Sequence, residues 1–206
     1  MTFKQADASS GKLRSTYIAI LIPLGIAVNL IGGQLATQLR IPLFMDSIGT
    51  AIVASIMGPY VGAVSGFMYN VISAIISGNI MSSLFGFVNV ATAFIVGFFA
   101  RAGKFKTFTD AVIVTVLVGI SNAMLGAPIA VVVYGGIQGS GVDLVTAGFL
   151  ALGNDIMSAA FLARVPTNLV DKGIAVFAAW LILRKLPDHL KTLTGAKPKK
   201  VVAVEE

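Results

Sequence analysis

Of the chain's 206 residues, 56% are hydrophobic and only 12% charged, with a mean hydropathy of +0.90. A soluble domain carries about 25% charged residues, so too little polar surface exists to cover a globule in water, and the chain reads as an integral membrane protein. The net charge of +6 does not indicate nucleic acid, because the basic residues flank apolar runs; the lack of Cys and the single His, His189, argue against thiol chemistry and a histidine-built metal or acid–base centre.

Seven apolar segments follow one another, at 16–37, 46–57, 60–78, 84–101, 109–134, 144–163 and 168–186. About 20 such residues cross a ~30 Å hydrocarbon core as a helix, and the period-two alternation of a transmembrane barrel is missing. The first run follows Lys4, Lys12 and Arg14 and so imitates a signal peptide. It is too long for one and contains Pro23, Asn29 and Gln34, so it is read as a retained helix behind a cytoplasmic segment, 1–15.

Segment 46–57 is about 18 Å long as a helix, short of a full crossing. Asp46 opens it, either as an N-terminal cap, as a ligand contact, or as both. Gly58-Pro59 ends it, and Pro59 suits the first turn of a following helix, which makes the break a tight cytoplasmic turn. Gly58, Gly62 and Gly66 then fall four apart on one helical face. Such small-residue ladders let helices approach closely in lipid; Ala93/Gly97, Ala175/Ala179 and the set Ala19, Pro23, Ala27 have similar spacing. Each serves internal packing or docks a second membrane subunit.

Segment 144–163 is interrupted by Gly153-Asn154-Asp155. A charge at the bilayer centre costs ~2.5–3.5 kcal/mol, so a non-spanning hairpin is expected there. Excess Lys and Arg mark cytoplasmic loops. With "RAGKFK" (101–106) and the basic tail both inside, the consistent solution is an all-α, six-transmembrane-helix bundle over 16–187. It has a short second helix, a non-spanning segment before the last helix, cytoplasmic termini, and a disordered tail, 188–206.

That topology sorts the polar residues into the outer half. Candidate ligand-binding residues are Asn29, Gln34, Arg40, Asp46, Asn79, Phe85, Asn89, Tyr134, Asn168 and Asp171. Amides, hydroxyls and aromatic walls with few charges suit an uncharged, planar polar ligand, held by oriented hydrogen bonds at small desolvation cost. The bland alternatives are interhelical hydrogen bonding for the asparagines, snorkelling for Arg40, and an interfacial anchor for Asp171 with Lys172 at the start of the last helix. No HExxH, Walker A or GxSxG motif and no paired carboxylates at helical spacing occur, so no catalytic residue, metal site or cofactor is assigned and the chain is not read as an enzyme. Nor is a carboxylate expected mid-helix, where proton coupling would need one.

"FMDSIGTAIVASIMGPYVGAVSGFMYNVI" resembles the helix 2–helix 3 signature of the substrate-binding (S) components of energy-coupling factor (ECF) vitamin transporters. "VPTNLVDKGIAVFAAWLILRKLP" resembles their last helix, especially in the riboflavin- and hydroxymethylpyrimidine-type branch. The resemblance implies a six-helix subunit of a bacterial plasma membrane that captures a small vitamin-like molecule from outside. It would dock on a transmembrane coupling subunit driven by two cytoplasmic ATPases, with the lipid bilayer as its solvent and no nucleic acid involved. It also implies docking through the small-residue face of the first helix, around Ala19, Pro23 and Ala27; the glycine spacing adds Gly62 and Gly66 as further docking candidates. Riboflavin, a pyrimidine precursor, a cobalamin-like compound and a deazaguanine base all stay open as ligands. The competing reading is a membrane sensor or structural bundle with no transport role; a lipid-modifying enzyme would need a catalytic cluster that the sequence does not offer.

Overall fold

In lipid every backbone N–H and C=O must find its partner within the protein, which leaves helices as the response of a chain this apolar. The computed structural model describes residues 3–187, with side chains from Leu13 onward; the tail 188–206, expected to be disordered, and His189 lie outside the described residues. The helices in chain order are α1 (Phe3–Gln38), α2 (Ile48–Met57), α3 (Pro59–Ser77), α4 (Gly86–Arg101), α5 (Phe108–Tyr134), α6 (Val142–Ala151) and α7 (Ile156–Lys185), with a 3-10 turn, Ile80–Phe85, leading into α4. Among the described residues, five stretches are long and apolar enough to cross a membrane: Leu13–Gln38, Pro59–Ser77, Ile80–Arg101, Phe108–Tyr134 and Ile156–Lys185. The molecule is thus a helical membrane bundle. The helices α2 and α6, at ten residues each, measure about 15 Å and are too short to cross squarely.

Two boundaries differ from the sequence reading. The first helix begins at Phe3 and not at Thr16, so the basic N-terminal segment continues the same rod. The last begins at Ile156 and not at 168. Segment 144–163 is therefore not one hairpin: its first half is α6, its second half the opening turns of α7. The break falls at Gly153-Asn154-Asp155, as those residues suggest. Asp155 caps α7, its carboxylate accepting the N–H groups of Met157 and Ser158 at 2.9 and 3.1 Å.

The central element is α2, which packs on α1, α3, α4 and α7. Its neighbours come close because the contacts are small. Gly25 of α1 meets Gly49 backbone to backbone, and a Cβ on Gly62 or Gly66 would collide with Ala54 or with Thr50 and Asn89. Gly62 and Gly66 are thereby corrected from docking positions to internal packing. Ala19, Pro23 and Ala27, in contrast, are exposed on α1. The core is correspondingly small-sided, with Ala51, Ala54, Ala93, Val96, Val114 and Ala179 buried, whereas Ile20, Leu24, Ile75 and Val132 point outward.

The break between α2 and α3 has a steric cause. Gly58 sits at φ +93°, a left-handed region that side chains rarely adopt, and a Cβ there would also meet the Arg101 guanidinium. Arg101 in turn donates to the Met57 carbonyl at 3.5 Å. This turn shares its end of the bundle with Lys104 and Lys106, in the α4–α5 connection, and with Arg184, which stacks 4.7 Å over Trp180 beside Phe108 at the start of α5. The opposite end, carrying the 39–47 and 135–141 loops, is where the polar residues converge.

Candidate functional site

The loop between α1 and α2 is folded inward against the middle of α7. Arg40 and Met45 adopt positive φ, at 50° and 52°, and the Asp171 carboxylate accepts the N–H groups of Phe44 and Met45 at 3.2 and 2.6 Å. Beside it, Lys172 places its ammonium 2.5 Å from the second Asp171 oxygen and 2.9 Å from Asp46, and donates to the Ser47 hydroxyl at 2.7 Å. The ammonium thus has two hydrogen-bond acceptors, Asp46 and Ser47, and a second carboxylate, Asp171, in ion-pair contact. Asp171 and Lys172 are 1% and 2% exposed. Neither is an interfacial anchor, and a carboxylate does lie mid-helix; both expectations failed because the last helix starts twelve residues earlier than its apolar run, at Ile156 against 168.

Asp46 is likewise not a helix cap. The cap position of α2 is Ser47, which makes no side-chain capping bond. The first-turn N–H of Gly49, which has no partner within α2, instead donates to the Asn29 side-chain oxygen of α1 at 2.7 Å, while the Asn29 amide donates to Thr50 at 2.8 Å. Asp46 is thereby free to pair with Lys172, and its carbonyl accepts from Asn89 at 3.3 Å.

Beside this network lies a cavity of about 210 Å³, whose walls include Gln34, Asp46, Tyr69, Asn70, Phe85 and Tyr134. Phe85 and Tyr134 stack with ring centroids 6.3 Å apart and planes inclined by 26°. A smaller cavity of about 30 Å³ shares the walls Phe44, Asp46 and Phe85, and is completed by Asn122, Gly126, Arg164, Asn168 and Lys172. One rim is ordered by Asp143, whose carboxylate accepts the backbone N–H groups of Gln138, Gly139 and Ser140. The Gln138 side-chain oxygen accepts in turn from Arg164 at 3.3 Å.

Of the sequence-selected residues, Gln34, Asp46, Phe85 and Tyr134 line the larger cavity. Asn168 lines the smaller one and donates to the Arg164 carbonyl at 2.9 Å. Five do not line either cavity. Asn29 is buried in the α1–α2 bonds just given and Asn89 in its bond to the 39–47 loop, Asp171 binds the loop backbone, Arg40 is exposed on the loop, and the Asn79 carbonyl closes the 3-10 turn onto Ser82. The residues not selected are Phe44, Tyr69, Asn70, Asn122, Gln138, Arg164 and Lys172. For those on α7 the signal was present: Arg164, Asn168, Asp171 and Lys172 recur at spacings of four, three and one, one face of a helix, once the helix is carried upstream of 168. No family model, no curated protein and no solved structure matches this chain.

Proposed function

We propose that the chain is the substrate-binding subunit of an ECF-type importer in a bacterial plasma membrane, with six spans and both termini cytoplasmic. In this reading α2 counts as a short crossing and the cavity opens outward. The observation that carries the reading is the polar cavity of about 210 Å³ at one end of the bundle, opposite the end that holds Arg101, Lys104, Lys106 and Arg184. Positive residues favour the cytoplasmic side, which turns the cavity to the outside. The exposed small-residue face at Ala19, Pro23 and Ala27 on α1 supports docking to a transmembrane coupling subunit that two ATPases drive.

The cavity supports a narrower ligand class than the sequence did. Drug-sized ligands occupy about 300–1,000 Å³, and a water's share of liquid volume is about 30 Å³, so the space equals roughly seven waters. This volume favours a single-ring heterocycle of pyrimidine size over riboflavin or a cobalamin-like compound. In the proposed pose the ring lies along the Phe85 and Tyr134 faces, with its N–H groups toward Asp46 and its acceptors toward the Gln34 and Asn70 amides.

The test is mass spectrometry of small molecules released by heat from the detergent-purified chain expressed alone. A heterocycle present at one per chain supports a solute-binding subunit and names its ligand. An empty protein that also ignores a panel of single-ring vitamins and precursors in thermal-shift assays favours the sensor or structural bundle.

A further inference from the structure

Resting on the reading of this site as a ligand pocket, we infer that its ligand carries a negative charge, and that Arg164 on α7 takes that charge. Arg164 is 1% exposed and lines the smaller cavity. Its guanidinium makes two hydrogen bonds, both to neutral acceptors: Nη1 to the Ala160 carbonyl at 3.1 Å and Nη2 to the Gln138 amide at 3.3 Å. The Nε–H has no partner. No carboxylate among the described residues lies within ion-pair distance of it. Asp143, the acid whose field reaches it, is engaged by three backbone N–H groups of the rim loop.

A buried cation without a counter-ion is costly, and buried charges in proteins are as a rule paired. The edge left open is also the one that recognises acids. Nε and Nη2 project side by side, and a carboxylate or phosphate takes such an edge with two parallel bonds. One of those two donors is vacant and the other is held only by a neutral amide that a stronger acceptor displaces.

The smaller cavity, about 30 Å³, has room for one or two polar atoms and shares the walls Phe44, Asp46 and Phe85 with the larger one. In the proposed pose a ring in the larger cavity extends an acidic substituent or an ionised ring oxygen past these shared walls to Arg164. A single water would also fit, bridging the Nε–H to the Asn122 side-chain oxygen, which is itself unpartnered. Water supplies the hydrogen bond but no charge, and the charge is what the site lacks. This revises the expectation of an uncharged ligand: Asp46 borders both cavities but is already paired with Lys172, whereas Arg164 borders the smaller one without an ion-pair partner, and a small ring bearing both N–H groups and an acid meets the two.

The test uses matched probes on the detergent-purified full chain: benzoate with benzamide, nicotinate with nicotinamide, and orotate with uracil, each by thermal shift and titration calorimetry. The acid of at least one pair is expected to bind about tenfold or more tighter than its neutral partner, a margin of ~1.4 kcal/mol. R164Q should erase that preference and R164K should retain part of it. G126A supplies a variant that leaves the guanidinium in place. Its methyl would lie 3.7 Å from Nε, in ordinary contact, so it should lower acid affinity without lowering the melting temperature of the empty protein. Neutral members binding as tightly as acids, or R164Q keeping the preference, would overturn the anionic ligand, leave the smaller cavity to water, and let the heterocycle-binding reading stand. No binding by any probe, together with an empty protein in the mass-spectrometric experiment, would overturn both.

Discussion

Two buried cations sit on one helix, eight residues and roughly 12 Å apart, and they are treated in opposite ways. Lys172 is paired with two carboxylates and also donates to a hydroxyl. Arg164 has only neutral acceptors and an unpartnered Nε. The surroundings explain the contrast. Both border the smaller cavity, but Lys172 is held by Asp46, Ser47 and Asp171, which tie the inturned 39–47 loop to α7, whereas Arg164 reaches only its own helix and the rim loop at Gln138. The saturated cation belongs to the framework, and the unsaturated one to whatever enters.

Lys172→Met tests the first half of that contrast and carries the largest expected effect. It strands Asp46 and Asp171 in a low-dielectric site with no cation. Removing one partner of a buried pair costs about 3–5 kcal/mol, so the melting temperature in detergent should fall sharply. A variant within about 1 kcal/mol of wild type would show the network to be dispensable and erase the distinction between the two cations. Asn29→Leu is next, because it withdraws the cap that α2 receives from α1 and leaves the Gly49 N–H and the Thr50 hydroxyl buried without their partner. An unsatisfied buried group costs about 1–3 kcal/mol. The loss should also loosen the start of α2, where Asp46 is held, and hydrogen exchange at Gly49 and Thr50 reads it directly.

How far the sequence carries this picture follows from where the interactions come from. The Gly58-Pro59 turn and the break at Gly153-Asn154-Asp155 are local signals, and both sit where they were expected. The start of α7 was misjudged because the apolar runs divide at 163 and 168, with Arg164 and Pro166 in the gap between them. A Pro within a membrane helix is tolerated when neighbouring groups satisfy the freed carbonyl, and a buried Arg is tolerated when the cavity gives it a use. Everything downstream of that boundary moved with it: Asp171 and Lys172 shifted from an interface to the centre of a network. The cap on α2 was illegible for a different reason. Ser47 and Asp46 are local capping residues by type, yet the N–H is taken by Asn29, twenty residues earlier and on another helix. Only tertiary structure supplies that partner.

Arg164→Met sharpens the second half of the contrast, with a small effect of opposite sign. Removing a buried charge that has no counter-ion should leave the empty protein as stable as wild type or slightly more so, within about 1 kcal/mol, since well-packed apolar replacements of buried charges are often neutral or stabilising. A fall as large as that of Lys172→Met would place Arg164 in the framework after all.

The smallest expected effect lies at the cap of the helix that carries both cations. The Ser158 hydroxyl, at 2.5 Å, and then the Ser158 and Met157 N–H groups hold the exposed Asp155 carboxyl below the usual carboxylate range. A carboxyl whose value is lower in the folded state than in the unfolded one stabilises the fold at any pH above its unfolded value, about 3.9. That contribution is lost as the pH falls through this range toward the lower folded value. The melting temperature of wild type should therefore decline slightly more than that of Asp155→Asn on acidification below about pH 4, with the two slopes equal at neutral pH. Parallel curves across the whole range would mean that α7 keeps its upper turns, and Arg164 its position, without the cap.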